Sequence, residues 1–295
     1  MRIPRAFSLV VTAALALSIA ASPLTTNRKP SPGGIRGTTE TIPFDLYQGY
    51  FTVVHGSIGP LKNLNFFLDT GTRPAVLDTR IAKKLHLRAE DPATISIVGG
   101  KVAAQWATLP SLEIGPVHRS NLPIVITDLS FFRKTVPVRI DAIVGLDLFV
   151  GKPFLIDYSA RKIRFEAAPA LSVSVPMRLD HGFAVFDAEI DHKPVHLLLD
   201  TGAASLILFT KTTPQSTPSR RHAVLRPQEI GKFESKHVSL PLLKLGTAQF
   251  RKKNALLTLN PNPSQADYDG LISPAALGLS QVAVNVEEGT LAFRR

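Results

Sequence analysis

The tripeptide Asp-Thr-Gly occurs twice in this chain, at Asp69-Thr70-Gly71 and at Asp200-Thr201-Gly202, each time directly after an apolar run. The two copies lie inside a longer correspondence. Pro43-Phe44-Asp45-Leu46-Tyr47-Gln48-Gly49 matches Pro176-Met177-Arg178-Leu179-Asp180-His181-Gly182, and Asn65-Phe66-Phe67-Leu68-Asp69 matches His196-Leu197-Leu198-Leu199-Asp200. Further on, Asp141-Ala142-Ile143-Val144 matches Asp269-Gly270-Leu271-Ile272, and Asp157 and Phe165 match Asn285 and Phe293. The anchors keep the same order, with small changes of spacing of the kind that hairpin-loop insertions cause. The reading is an internal duplication: one unit over residues 43–168 and a second over 169–295.

Within each unit the pattern is strand and turn. Gly49–Ser57 and Leu61–Leu68 flank Gly59-Pro60 as a hairpin that leads into Asp69, and Asp191-His192-Lys193-Pro194 turns the equivalent hairpin before Asp200. One short helix is predicted where Asp78 caps Ile81, Ala82 and Leu85. Its counterpart, residues 210–221, holds Pro214 and Pro218 and reads as an irregular loop. Short strands end the units at Lys162–Phe165 and Thr290–Phe293. The fold class expected is all-β with few short helices, and 23 prolines in short, turn-punctuated apolar stretches agree with it.

Composition excludes several classes. At 44% hydrophobic and 19% charged, the chain as a whole is not disordered. The absence of cysteine excludes disulfides, a thiolate nucleophile and Cys-ligated metal. A net charge of +11 invites a nucleic-acid partner, but the basic residues are dispersed and no recognition motif accompanies them, so none is expected. The first 21 residues, with Arg2 and Arg5 before an uncharged apolar stretch and small residues at Ser18 and Ala20, have the anatomy of a secretory signal peptide. A signal anchor is the competing reading. Residues 22–42, rich in Pro, Gly, Thr and Ser, read as a flexible linker or a short propeptide. The protein is therefore expected to be exported, periplasmic or secreted, as a monomer with a transient association with the envelope surface.

A given tripeptide should recur about once in several thousand positions. Two copies at equivalent places therefore point to chemistry. Each carboxylate stands at the end of a buried strand, and Gly71 and Gly202 let the backbone turn and another chain approach. Two such turns related by a pseudo-twofold bring two carboxylates together at the junction of the units. Like charges at close range cannot both ionise, so the pair holds one proton between them. One carboxylate can then take a proton from water while the other donates to a carbonyl oxygen, which hydrolyses an amide without metal, cofactor or covalent intermediate.

With these residues the sequence resembles the aspartic peptidases, as a bilobal pepsin-like chain whose lobes are similar to retropepsins. The resemblance rests on Phe67-Leu68-Asp69-Thr70-Gly71-Thr72 and Leu198-Leu199-Asp200-Thr201-Gly202-Ala203, with Ala142-Ile143-Val144-Gly145 and Phe154-Leu155-Ile156-Asp157-Tyr158 downstream, and spans residues 43–295. It implies two acid-protease-type β-barrel lobes with a cleft between them, and an aspartic endopeptidase acting on a peptide or protein substrate. It implies Asp69 and Asp200 as the catalytic dyad. Thr70, Gly71, Thr72, Thr201, Gly202, Ala203 and Gly145 would support the active-site loops, with Thr70 and Thr201 bonded across the lobe junction. Gly99 and Gly100 would lie in a flap, with Trp106 near the cleft.

Three positions depart from the pattern. Ser273 stands where the family has glycine, Ala203 replaces the hydroxyl that Thr72 supplies, and the flap lacks the pepsin-type tyrosine. Ala203 marks Asp200 as the more readily protonated aspartate. The alternative these departures support is a catalytically silent peptide-binding protein. Two weaker signals are set aside: Asp141 and Asp269 read as turn caps, and His192 and His196 do not form a helical metal pair.

Overall fold

The computed structural model describes residues 15–16, 40–98, 100–166, 171–209, 222–223, 235–258, 264 and 266–295. Most of the leader and linker, the 167–170 boundary, Gly99 and the proline-rich 210–221 loop lie outside the described residues. The fold is all-β, as the sequence predicts, with two short α-helices among the described residues. None of the described helices is long and apolar enough to cross a membrane.

The hairpin before Asp69 joins Phe51–Ile58 to Leu61–Leu68 through Gly59-Pro60. The equivalent hairpin before Asp200 joins Phe183–Ile190 to Lys193–Leu199. Its turn is only Asp191-His192, both at positive φ (48° and 67°), so Lys193 and Pro194 already belong to the strand. Two consecutive left-handed residues match the right-handed twist of the flanking strands, so the turn needs no more residues than these. The predicted helix forms at Thr79–Lys84, and the Asp78 side chain accepts from the Arg80 N–H as its cap.

Both halves place their Asp-bearing strand by the same set of pairings. Leu61–Leu68 runs parallel to Ala142–Val144, and Val76–Asp78 runs parallel to Val125–Thr127 and antiparallel to Ala142-Ile143. In the second half Lys193–Leu199 runs parallel to Gly270–Ile272, and Leu206–Phe209 runs parallel to Ala255–Thr258 and antiparallel to Gly270-Leu271. Strand period does the rest. Phe66 and Leu68 face a large apolar cluster that both halves share, whereas Phe67, between them, faces a second cluster with Phe51, Phe132 and Ile143. Leu198 likewise faces away from Leu197 and Leu199, into a third cluster.

Asp141 and Asp269 fasten the returning strands, as the sequence suggests. Each side chain accepts from a backbone N–H on the Asp-bearing strand (Asn65 and His196, both 2.8 Å), and each backbone N–H donates to the carbonyl of that same residue. His196 directs Nδ1 at Asp187 (2.8 Å).

The halves are joined by a six-stranded antiparallel sheet that the sequence does not announce. Its order is Glu40–Pro43, Lys162–Phe165, Phe154–Asp157, Gln281–Asn285, Thr290–Arg294 and Val173–Pro176. Its central pairing, Phe154 with Val284 through Asp157 with Gln281, crosses from one half to the other. The strands predicted to end each unit are therefore interior to a shared sheet.

Candidate active site

The Asp69 and Asp200 turns meet at the junction of the halves, and both side chains are fully buried. Thr70 and Thr201 lock the turns together. The Thr70 N–H donates to the Thr201 hydroxyl (3.0 Å), and the Thr201 N–H donates to the Thr70 hydroxyl (3.1 Å). Each hydroxyl then donates onward to the strand of the opposite half: Thr70 Oγ1 to the Leu199 carbonyl (2.7 Å) and Thr201 Oγ1 to the Leu68 carbonyl (3.1 Å). Every polar atom of the pair that faces the junction is thereby satisfied inside the protein, as burial demands.

The glycines are required by proximity. A methyl group on Gly71 would lie 2.9 Å from Asp200 Cγ, and one on Gly202 would lie 2.5 Å from Asp69 Cγ, both too close for non-bonded carbon. Each turn thus lies directly against the opposite carboxyl. Gly145 has a related role within the first half, since any side chain there would overlap the Thr72 carbonyl oxygen.

The two carboxyls are held differently. Asp69 accepts from the Gly71 N–H (2.9 Å) and from the Thr72 hydroxyl (2.6 Å), so both of its oxygens have donors. Asp200 accepts from the Gly202 N–H (2.8 Å), but its Oδ2 has no N–H or O–H donor among the described residues; Ala203 offers no hydroxyl. Burial raises the pKa of Asp69 to about 6, the Thr72 and Gly71 hydrogen bonds opposing the rise. Burial raises Asp200 well above the usual carboxylate range, and the charge of Asp69 raises it further. Burial raises both carboxyls, and the charge of Asp69 raises Asp200 further, in the direction that the missing hydroxyl at position 203 suggests.

The departure at Ser273 is accommodated by a hydrogen bond. Its side chain is fully buried and its hydroxyl donates to the Ala203 carbonyl. It also caps the helix Pro274–Leu277. Glycine in the first half and serine in the second thus solve the same packing problem in two ways.

Pro92–Ile97 and Gly100–Ile114 pair as an antiparallel hairpin in the segment where the flap is expected. Gly100 begins its second strand, and Trp106 on that strand packs, half-buried, against the Phe67 cluster. The sequence reading did not single out Val98. It belongs to the hairpin of the first half, yet it is buried in the apolar cluster of the second half, with Phe183, Leu198 and Tyr268. Its neighbours Ile95 and Ile97 pack in the Phe67 cluster instead. A lone valine between glycines and an alternating strand carries no signal of its own; only the position of the second half reveals its role.

Among solved structures the chain is similar to basic 7S globulin from soybean, with a TM-score of 0.49 and 11% identity over 87% of this chain and 94% of that one. No curated protein sequence matches it. Residues 54–148, which contain Asp69-Thr70-Gly71 and Gly145, match the family model described as aspartyl protease, so this part of the chain is similar to that family.

Proposed function

We propose that the chain is an aspartic endopeptidase. The observation that carries this reading is the asymmetric pair of facing, buried carboxyls, in which both oxygens of Asp69 accept hydrogen bonds and Asp200 accepts from the Gly202 N–H. In this reading the peptide carbonyl oxygen accepts the proton of Asp200 while Asp69 removes a proton from water. The resulting hydroxide oxygen bonds to the carbonyl carbon. Collapse of the tetrahedral gem-diol breaks the C–N bond: the departing nitrogen takes the proton from Asp69, and one hydroxyl of the diol returns its proton to Asp200 as the carboxylic acid forms. The dyad is returned with one proton.

Substrates would be extended peptides added as a strand, with mainly apolar side-chain pockets. Pairing of Leu15-Ala16 with Ile97-Ser96 supports this, because it uses the backbone of the hairpin edge to hold an extended segment. The signal-like first 21 residues make the site of action outside the cytoplasm, periplasmic or secreted.

The second reading, a peptide-binding protein without catalysis, is favoured by the complete burial of both carboxyls. One experiment separates the two. The protein, Asp69→Asn and Asp200→Asn are incubated with a denatured protein and a randomised peptide pool between pH 3 and 8, and products are read by mass spectrometry. Cleavage by the parent that each substitution reduces by roughly 10⁴-fold establishes the peptidase. Binding of the pool without cleavage by any of the three establishes the second reading.

A further inference from the structure

We propose that Ser273 is a positioning residue, whose hydroxyl, by holding the Ala203 carbonyl, fixes the Asp200 turn and thereby the donors that face its carboxylate. The kinetic part of this proposal rests on the endopeptidase reading; the geometric part does not.

Two pairs of positions are equivalent in the two halves, Thr72 with Ala203 and Gly145 with Ser273. In the first half the hydroxyl stands at position 72 and bonds the carboxylate itself, and the absent side chain at Gly145 lets the Thr72 carbonyl close onto the next strand end. In the second half the hydroxyl stands at position 273 and bonds the backbone of the turn. One hydroxyl serves each turn, but it acts on the carboxyl in one and on the main chain in the other.

The Asp200 carboxylate depends on that main chain. The donors directed at it are the backbone N–H groups of Gly202 and Ala203. The titratable groups near it are Asp69 opposite and Tyr268, which precedes the strand Gly270–Ile272. Neither supplies positive charge, so the two N–H groups are what favours its ionised form. Ser273 sits at the end of Gly270–Ile272, itself paired in parallel with Lys193–Leu199, and so fastens the turn to the framework that delivers Asp200. Without the Ser273 hydroxyl the buried Ala203 carbonyl loses this donor, and the turn shifts to find another. The N–H groups then shift with it.

The test compares the full chain with Ser273→Ala, Ser273→Thr and Lys253→Met. Lys253 Nζ bonds the Ala276 and Leu277 carbonyls, so its substitution loosens the same helix at its other end without touching Ala203. Ser273→Ala should lower kcat about tenfold with KM within about twofold. It should also move the alkaline limb of the pH–rate profile upward, because weaker donation disfavours the charged form of Asp200. Ser273→Thr should restore kcat, and Lys253→Met should leave kcat and both limbs unchanged. Parent-like kinetics in Ser273→Ala, an equal loss in Lys253→Met, or no rescue by Ser273→Thr overturns the proposal. If the parent cleaves nothing, the endopeptidase reading fails alone. Ser273 is then judged by carboxyl ¹³C NMR titration of Asp69 and Asp200, where an Asp200 midpoint raised in Ser273→Ala but not in Lys253→Met upholds it and coincident curves overturn it. If Ser273→Ala proves too unstable to purify, Ser273→Gly takes its place in both measurements.

Discussion

Thr70 and Thr201 each donate a backbone N–H to the other's hydroxyl, at 3.0 and 3.1 Å, across the junction of the two halves. The bond is reciprocal and buried, and it ties the two Asp-Thr-Gly turns to one another. Thr70→Ala or Thr201→Ala would leave one buried N–H and one buried carbonyl without partners. Each should cost about 1–3 kcal/mol of stability, read as a lowered urea midpoint, and Thr70→Ser should cost much less because it keeps the hydroxyl.

Gly71 and Gly202 make a prediction of the opposite kind, in which activity falls further than stability. A methyl group at either position presses on the opposite carboxyl, 2.9 Å from Asp200 Cγ or 2.5 Å from Asp69 Cγ. Displacing a reacting carboxyl by about 1 Å is expected to reduce kcat by about 100-fold. Gly71→Ala and Gly202→Ala should therefore fold, judged by circular dichroism, while kcat drops by that factor.

Burial of the dyad makes stability depend on pH. Both carboxyls have folded-state pKa values above their unfolded ones, about 6 for Asp69 and higher for Asp200. In such a case the folded state binds more protons, so the stability contribution is complete below the unfolded values near 4 and is lost as pH rises through 6. Asp147, also raised to about 6 by burial, adds to the same slope. The melting temperature should fall between pH 4 and pH 7, and Asp69→Asn should flatten part of that fall. An unchanged slope in Asp69→Asn would contradict the assignment.

Val98 ties the hairpin of the first half to the apolar cluster of the second. Burying a valine contributes on the order of 1.5–3 kcal/mol, which is the free energy that holds the hairpin against that cluster. Val98→Asn should release it. Trp106, the single tryptophan, lies on the same hairpin, so acrylamide quenching should increase in Val98→Asn while the far-ultraviolet spectrum stays the same.

Much of the site was legible in the sequence because its determinants are local. An apolar strand, a carboxylate and a glycine turn are set by five consecutive residues, and Asp78 caps its helix from the adjacent position. Asp141 and Asp269 were legible for a related reason: each opens a short strand whose partner is the Asp-bearing strand of its own half. The join between halves was not legible. Phe154–Asp157 and Gln281–Asn285 are apolar runs that read as ordinary buried strands, and no local property of either names its partner.

Ser273 shows where the boundary lies. Read in sequence, it is a side chain in a position that demands glycine. In three dimensions it is a hydroxyl placed against a carbonyl that the neighbouring turn presents. The amino-acid sequence alone determined the all-β class, the two Asp-Thr-Gly turns and the identity of the paired aspartates, because strand period, turn chemistry and repetition are properties of short segments. The tertiary structure decided what seats the second turn and how the two halves are joined. Those depend on atoms from distant segments meeting within hydrogen-bond distance in a buried place, where a single donor or a single missing methyl group changes the outcome.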